Sequence, residues 1–266
     1  MVAHGERLKA YFEEHPPRSA RQAARHITEL TGIRRSPGRV RGFLHRLGLS
    51  VRMTGQLPAK ADAAAQQAFI DQRLTPLLER SERGEVALLF AAAVHFLLGA
   101  LLGRVWCSHR RFLRCGAARF RLNVLGALDA RTHRLTALYN RTYVNAVMFV
   151  AFLQRLLAVY ADRPVALILD NARCQKCELV SEAAAGLNIE LVYLPPYSPN
   201  LNMIERLWKL IKVDICHARY YDCKERFEKA IVACLNSLHL PYYKELMKTW
   251  LAPNFQTFQH AQNAAI

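Results

Sequence analysis

The segment 165–212 constrains the fold most, because short apolar runs alternate in it with a helical pattern. Residues 165–169 form an apolar run typical of a buried strand, and Asp170 follows at once. A helical pattern over 173–186 and a second apolar run over 189–194 come next. Parallel strands need a helical crossover between them, so this order predicts neighbouring parallel strands in an α/β sheet.

A stiff loop of prolines and turn formers, PPYSPNLN at 195–202, leads from the second strand into a helix that carries Glu205 near its first turn. An acid at the carboxyl end of a buried strand is where α/β folds place functional groups, although a lone Asp in this position more often only caps the next helix. The stiff loop can bring Glu205 close to Asp170. We therefore expect the two carboxylates to form one site.

Two adjacent carboxylates suit a hard divalent cation. Mg²⁺ takes oxygen ligands, keeps several waters and uses one or two carboxylates together with substrate phosphate. Two such ions, ~3.5–4 Å apart, activate the attacking oxygen and stabilise the leaving oxygen in phosphodiester chemistry. The pattern predicts a metal-dependent enzyme that acts on a phosphodiester.

The charge of the chain indicates the partner. It has 37 Lys and Arg against 21 Asp and Glu, a formal charge of +16, which is typical of proteins that bind a polyanion. A membrane partner is not expected, because no basic amphipathic helix is evident and the apolar stretch 86–102 is too short to span a bilayer comfortably. The N-terminus has no signal-peptide pattern, and seven irregularly spaced cysteines suggest reduced thiols, so we expect a cytoplasmic protein.

Residues 1–60 hold 12 Lys and Arg but four acids, and three short helices are predicted there, over 5–14, 20–31 and 37–47. A short helix, a tight turn and a basic helix are typical of a helix-turn-helix. The alternative is a plain three-helix bundle with a solvated basic face. The candidate DNA contacts in this region are Arg34, Arg35, Arg39, Arg41 and Arg46.

Residues 104–121 contain six arginines and no acid, with aromatic residues interleaved. Such a run repels itself unless a polyanion is near, so it predicts a hairpin against DNA; the alternative is a sheet edge protected by charge. Its leading candidates are Arg110, Arg111 and Arg114, and two further candidates follow Glu205 on the same helix, Lys209 and Lys212.

A helix is also predicted over 61–83, strands over 86–98, 104–108, 120–128 and 134–139, and a helix over 144–160.

The strings LILDNARCQKC and LVYLPPYSPNLNMIERLWKLIK, with 34 residues between Asp170 and Glu205, resemble the mariner-type DDE transposases, in particular their bacterial insertion-sequence branch. The resemblance implies an RNase H-like mixed sheet flanked by helices, preceded by an all-α, winged-helix-like helix-turn-helix domain. It also implies Mg²⁺ or Mn²⁺, two ions in an intact site, with Asp170 and Glu205 as the second and third acids. The expected parts are a DNA-binding domain over 1–58, a linker helix over 59–84, an RNase H-like catalytic domain over 85–250 and a tail over 251–266.

The first acid of the triad is missing from the strand that should carry it. In the family that strand reads as an apolar run, Asp, two small residues and His-Phe, and aligning His95 and Phe96 places Ala92 at the acid. Glu85 precedes the strand and Asp129 belongs to the next hairpin, so neither is a good substitute. Two other interpretations stay open: the alignment is shifted, or this strand never carried an acid.

By resemblance, the chain is expected to be an insertion-sequence transposase that binds double-stranded DNA at terminal inverted repeats, cuts and transfers strands at TA targets, and acts as a homodimer. Ala92 predicts a catalytically inactive copy, whether engineered or decayed, that retains DNA binding. The alternatives are a non-catalytic DNA-binding protein, such as a domesticated regulator, and a nuclease that works with two acids and another ligand.

Overall fold

The computed structural model describes residues 4–52, 58–99, 101–110, 112–114, 120–253, 255 and 257. The chain divides into two compact units, with the division between residues 57 and 58. The described part of the first unit is helical around its own small core, and the second unit contains a sheet with a core on each face.

The first unit consists of α1 (Gly5–Glu14), α2 (Ala20–Thr31) and α3 (Pro37–Arg46). The Ser19 hydroxyl caps α2 by accepting the Gln22 N–H at 3.2 Å, and Gly32 ends it with a φ of 71°. These local signals explain why the three predicted helices are confirmed, the last ending one residue early. The buried core of the unit is Leu8, Phe12, Ala23, Ile27, Val40 and Phe43.

In the described part of the second unit, five strands form one mixed sheet in the order β3-β2-β1-β4-β5. The strands are β1 (Ala87–Leu97), β2 (Arg121–Asp129), β3 (Leu135–Asn140), β4 (Val165–Leu169) and β5 (Ile189–Tyr193). β1 is central: it pairs antiparallel with β2 and parallel with β4, and β4 pairs parallel with β5. The predicted parallel strands on either side of the crossover are therefore confirmed.

Helices cover both faces of the sheet. One face packs against α6 (Ala146–Val159) and α7 (Glu178–Gly186), and the other against α8 (Met203–Cys216), α9 (Lys224–Ser237) and α10 (Pro241–Trp250). Strand side chains alternate between faces, so Phe90 and Ala92 belong to the α8 core while Leu89 and Ala91 belong to the α6 core. No helix in the described ranges is long and apolar enough to cross a membrane.

The predicted helix 61–83 is interrupted by a π-helical turn. It comprises α4 (Ala63–Phe69), the π turn (Ile70–Leu74) and α5 (Thr75–Glu82). The Asp62 carboxylate starts it by accepting the backbone N–H groups of Ala64 and Ala65 at 2.9 and 3.0 Å. Leu74 and Leu77 are buried in the α8 core, so this helix packs on the α8 face of the sheet.

Two predicted elements differ from the structure. Residues 104–108 form no strand. A strand needs a neighbouring strand to accept its backbone hydrogen bonds, and nearby the chain makes an isolated β-bridge from Leu101 to His217. The helix expected over 173–186 is a 3₁₀ turn (Arg173–Gln175) followed by α7.

Candidate functional site

The end of β4 places Asp170 at the surface, where the parallel strands finish. Its carboxylate accepts the Ala172 N–H at 3.3 Å, a contact within its own turn. The next side chain, Asn171, donates to the Leu194 carbonyl at 2.7 Å, and the Leu194 N–H donates to the Leu169 carbonyl at 2.8 Å. These two bonds fix the end of β5 and the start of the 195–202 loop beside Asp170.

Glu205 lies in the first turn of α8, where its backbone N–H donates to the Asn202 carbonyl at 3.2 Å. Partial burial raises the pKa of the Glu205 carboxyl above its usual value, and the negative charge of Asp170 adds to the rise, while Lys212 opposes it. Asp170 and Glu205 also line the same cleft of about 220 Å³. The structure thus brings together the two acids that the sequence pairs, although 34 residues separate them.

These two carboxylates can hold a hard divalent cation, since Mg²⁺ binds proteins through one or two carboxylates. Within the described residues, no cluster of three or more His, Cys, Asp and Glu side chains could hold a metal ion. The negative charges of Asp170 and Glu205 repel each other, and this repulsion contributes to the raised pKa of Glu205. A bound cation would neutralise that repulsion.

The register of β1 and β4 relates Ala92 to Asp170. The last pair between the two strands is Phe90–Ile168, and continuing that register by two residues brings Ala92 level with Asp170. Phe90, Ala92 and Ile168 belong to the α8-side core, and continuing the alternation one residue past the end of β4 gives Asp170 the same face. The Ala92 side chain, 1% exposed, therefore points into the layer from which Glu205 approaches.

The loop before α8 is fixed to β1 by a residue that the sequence reasoning did not single out. The buried Asn202 side chain donates to the carbonyl of Ala91 at 3.1 Å, one residue before Ala92. Its Oδ1 is buried with no hydrogen-bond partner among the described residues. The motif string contains Asn202, but nothing local in the sequence indicates that it reaches a strand 111 residues away.

Trp208 packs on the strand that neighbours Ala92. Gly126 of β2 pairs directly with Ala92, and a Cβ built on Gly126 would be 2.7 Å from the Trp208 ring. The indole is buried, as expected from the apolar face of α8, and lies one helical turn after Glu205. The glycine within a strand run is the sequence signal for this close approach.

The residues expected to contact DNA are exposed wherever the structure describes them. In the first unit these are Arg34, Arg35, Arg39, Arg41 and Arg46, and in the second Arg110, Arg114, Lys209 and Lys212. Arg111 lies outside the described residues. In the basic segment 104–121, the Arg110 guanidinium lies over the Phe112 ring, 5.1 Å from the ring centroid. Both side chains are exposed.

Two family models match separate parts of the chain. Residues 87–228 match the family described as DDE superfamily endonuclease, and residues 18–73 match the family described as winged helix-turn helix. An insertion element IS630 uncharacterized 39 kDa protein of Shigella sonnei is 24% identical over 209 residues, or 76% of this chain. The chain spans 58% of the length of that relative.

Two solved structures of low sequence identity share the fold. The Mos1 strand transfer complex has a TM-score of 0.61 at 16% identity, covering 96% of this chain and 79% of the Mos1 chain. The Mos1 mariner paired end complex with Mn has a TM-score of 0.60 at 16% identity, covering 92% and 76% of the two chains.

The mixed sheet presents acids from a strand end and from a helix in one cleft. The chain belongs to the DDE superfamily endonucleases, whose family match covers more than half of it. The resemblance to mariner-type transposases of the insertion-sequence branch, with an RNase H-like core after a helix-turn-helix region, is confirmed.

Proposed function

We propose that this protein is an insertion-sequence transposase whose catalytic centre is built on Asp170 and Glu205 and is disabled at Ala92. The observation that carries the proposal is the shared cleft: Asp170 lines it beside Glu205, and Ala92 is level with Asp170 on the same face of the sheet. A sheet with a carboxylate at 92 would present three acids to one point.

Asp170 and Glu205 would hold Mg²⁺ or Mn²⁺. The fit is supported by the raised pKa of the Glu205 carboxyl, since that carboxyl is partly buried beside a like charge. The metal, when bound, supplies an activated oxygen nucleophile and neutralises charge on the phosphodiester. Asn202 and Asn171 fix the backbone from which the two acids project.

Ala92 stands where the resemblance places the first acid, which would help Asp170 and Glu205 to hold the metal. Its methyl group offers no oxygen, and the remaining two carboxylates balance less cationic charge. Because metal positioning and charge neutralisation provide most of the rate in this chemistry, cleavage and strand transfer by this chain should be lower by orders of magnitude. Binding of DNA depends on the exposed Lys and Arg and should persist.

The proposed partner is double-stranded DNA at the terminal inverted repeats of the element, with TA as the target and a homodimer as the active assembly. The proposal is supported by the exposed arginines of the first unit, by the basic segment 104–121 and by the similarity to Mos1, which is solved as a strand transfer complex and as a paired end complex. Cytoplasmic location, close to the DNA, belongs to the same proposal.

The test compares the chain with Ala92→Asp, using as substrate a DNA fragment that carries the gene together with its flanking sequences. With Mn²⁺ or Mg²⁺, Ala92→Asp should cut at the element ends and the parent should not. Ala93→Asp is the matched control, because Ala93 packs at the α6-side core and an acid there faces away from Glu205. Ala92→Asn keeps the shape of Asp without the charge and should stay inactive.

Robust cutting by the parent chain would refute the assignment of Ala92 and favour a nuclease with two acids. Cutting by neither protein, with end binding retained, would refute the catalytic proposal and favour the non-catalytic DNA-binding protein. Cutting by Ala93→Asp would show that any added acid on β1 is sufficient, and would contradict the geometry.

A further inference from the structure

Gln66 of α4 is a buried polar side chain that bonds to the loop beside Glu205. It is 0% exposed. Its Nε2 donates to the Ser198 hydroxyl at 3.0 Å, and the Asn200 side chain donates to its Oε1 at 3.1 Å. Both partners belong to the 195–202 loop, more than 130 residues away in sequence. One glutamine therefore uses both of its polar atoms on a single loop.

The same loop is fixed at two further points. The Ser198 hydroxyl donates to the Pro196 carbonyl at 3.2 Å, within the loop. At its end, Asn202 donates to the Ala91 carbonyl at 3.1 Å. Between these points the Leu201 and Asn202 N–H groups close a 3₁₀ turn at 3.1 Å each, and α8 follows directly. Gln66 thus supports one side of the loop and β1 the other.

A loop of this kind must be rigid if Glu205 is to work with Asp170. Functional groups need to be held within a few tenths of an ångström of their working positions, and groups on loops reach this only when a second layer of contacts locks them. Buried hydrogen bonds are suited to the task, because opening the loop would leave the amide of Gln66 and its partners unpaired away from water.

We propose that Gln66 is a positioning residue of the Asp170–Glu205 site, acting through Ser198 and Asn200 on the loop that sets the first turn of α8. The proposal rests on the proposed function of that site. Gln66 lines no part of the cleft and touches no reacting group, so its effect is on the placement of Glu205. It also makes α4 part of the framework that supports the site.

The first test measures amide hydrogen exchange in the chain as it stands. Gln66→Met keeps the length of the side chain and removes both hydrogen bonds. We expect the amides of Leu201, Asn202 and Glu205 to exchange about tenfold faster or more, the ratio for one lost buried hydrogen bond, while those of β1 and β4 are unchanged. Gln67→Met is the matched control, because Gln67 bonds Asp71 on the surface of the same helix.

The second test uses the Ala92→Asp background. There Gln66→Met should lower kcat severalfold and leave KM for the DNA fragment unchanged, and adding Ser198→Ala should cause little further loss because both changes break the same contact. Gln67→Met should change neither parameter.

Unchanged exchange in the loop, or an equal increase in β1 and β4, would overturn the proposal, the second result showing that Gln66 only stabilises the whole unit. A rise in KM at constant kcat would overturn it too. If Ala92→Asp does not cleave, the proposed function fails, and the loop exchange still decides whether Gln66 positions the loop.

Discussion

Gly126→Ala tests the contact by which β2 sets the position of α8. The added Cβ would be 2.7 Å from Cη2 and 2.8 Å from Cζ2 of Trp208, and 3.0 Å from Cδ1 of Leu135. Real Cβ atoms essentially never approach carbon so closely, so the indole and its helix must move. Gly126 pairs regularly with Ala92 and Ala137, which makes the backbone itself acceptable for alanine.

The cost follows from packing. Adding a methyl group to a filled core typically destabilises by about 1–3 kcal/mol. Replacing glycine lowers the entropy of the unfolded chain, which increases the free energy of unfolding by about 0.4–1 kcal/mol. We expect a net loss of about 1–2 kcal/mol in the free energy of unfolding. For a domain of this size this lowers Tm by about 2–8 °C.

Thermal unfolding followed by circular dichroism measures the effect. Gly186→Ala is the control, because nothing lies within 4 Å of its added Cβ and the residue ends α7. That variant should be as stable as the parent or slightly more stable. In a double-mutant cycle, Trp208→Phe should relieve part of the Gly126→Ala penalty, since phenylalanine lacks the clashing part of the indole. A Gly126→Ala protein with unchanged Tm, or strict additivity with Trp208→Phe, would refute the contact.

Three further predictions concern charge. Mg²⁺ should increase the free energy of unfolding of Ala92→Asp by about 1.4 kcal/mol when the ion is at ~10 times its Kd, and should therefore raise its Tm more than that of the parent; an equal Tm response of both proteins would count against three converging acids. The raised pKa of Glu205 means that the parent loses stability as pH rises above 4.5 and this carboxyl ionises in the folded state. Glu205→Gln cannot ionise, so in urea titrations its free energy of unfolding should increase relative to the parent over that pH range. A difference that does not change with pH would contradict this. Arg39→Gln should weaken DNA binding and reduce the slope of log K against log salt by about 0.9, whereas Arg25→Gln, whose arginine pairs with Glu29, should leave the slope unchanged.

Local signals determined much of the fold. Ser19 and Gly32 fix the ends of α2, and the apolar run 165–169 coincides with β4. The segment 104–108 shows the limit of such signals. Its composition suits a strand, but a strand exists only where another backbone accepts its hydrogen bonds, and the residues next to β1 bridge to His217 at one position instead.

The candidate site divides in the same way. The sequence identified Asp170 and Glu205 by type and spacing, and by resemblance predicted that Ala92 replaces the first acid. The tertiary structure decided that Ala92 lies on the α8 face, two residues past the last β1–β4 pair, because strand register and face are set by pairing with other strands. It also decided that Gln66 supports the 195–202 loop, because that contact joins residues 132 positions apart and has no local signature. The sequence thus specifies which side chains are available, whereas whether distant side chains meet in one site depends on how the whole core packs.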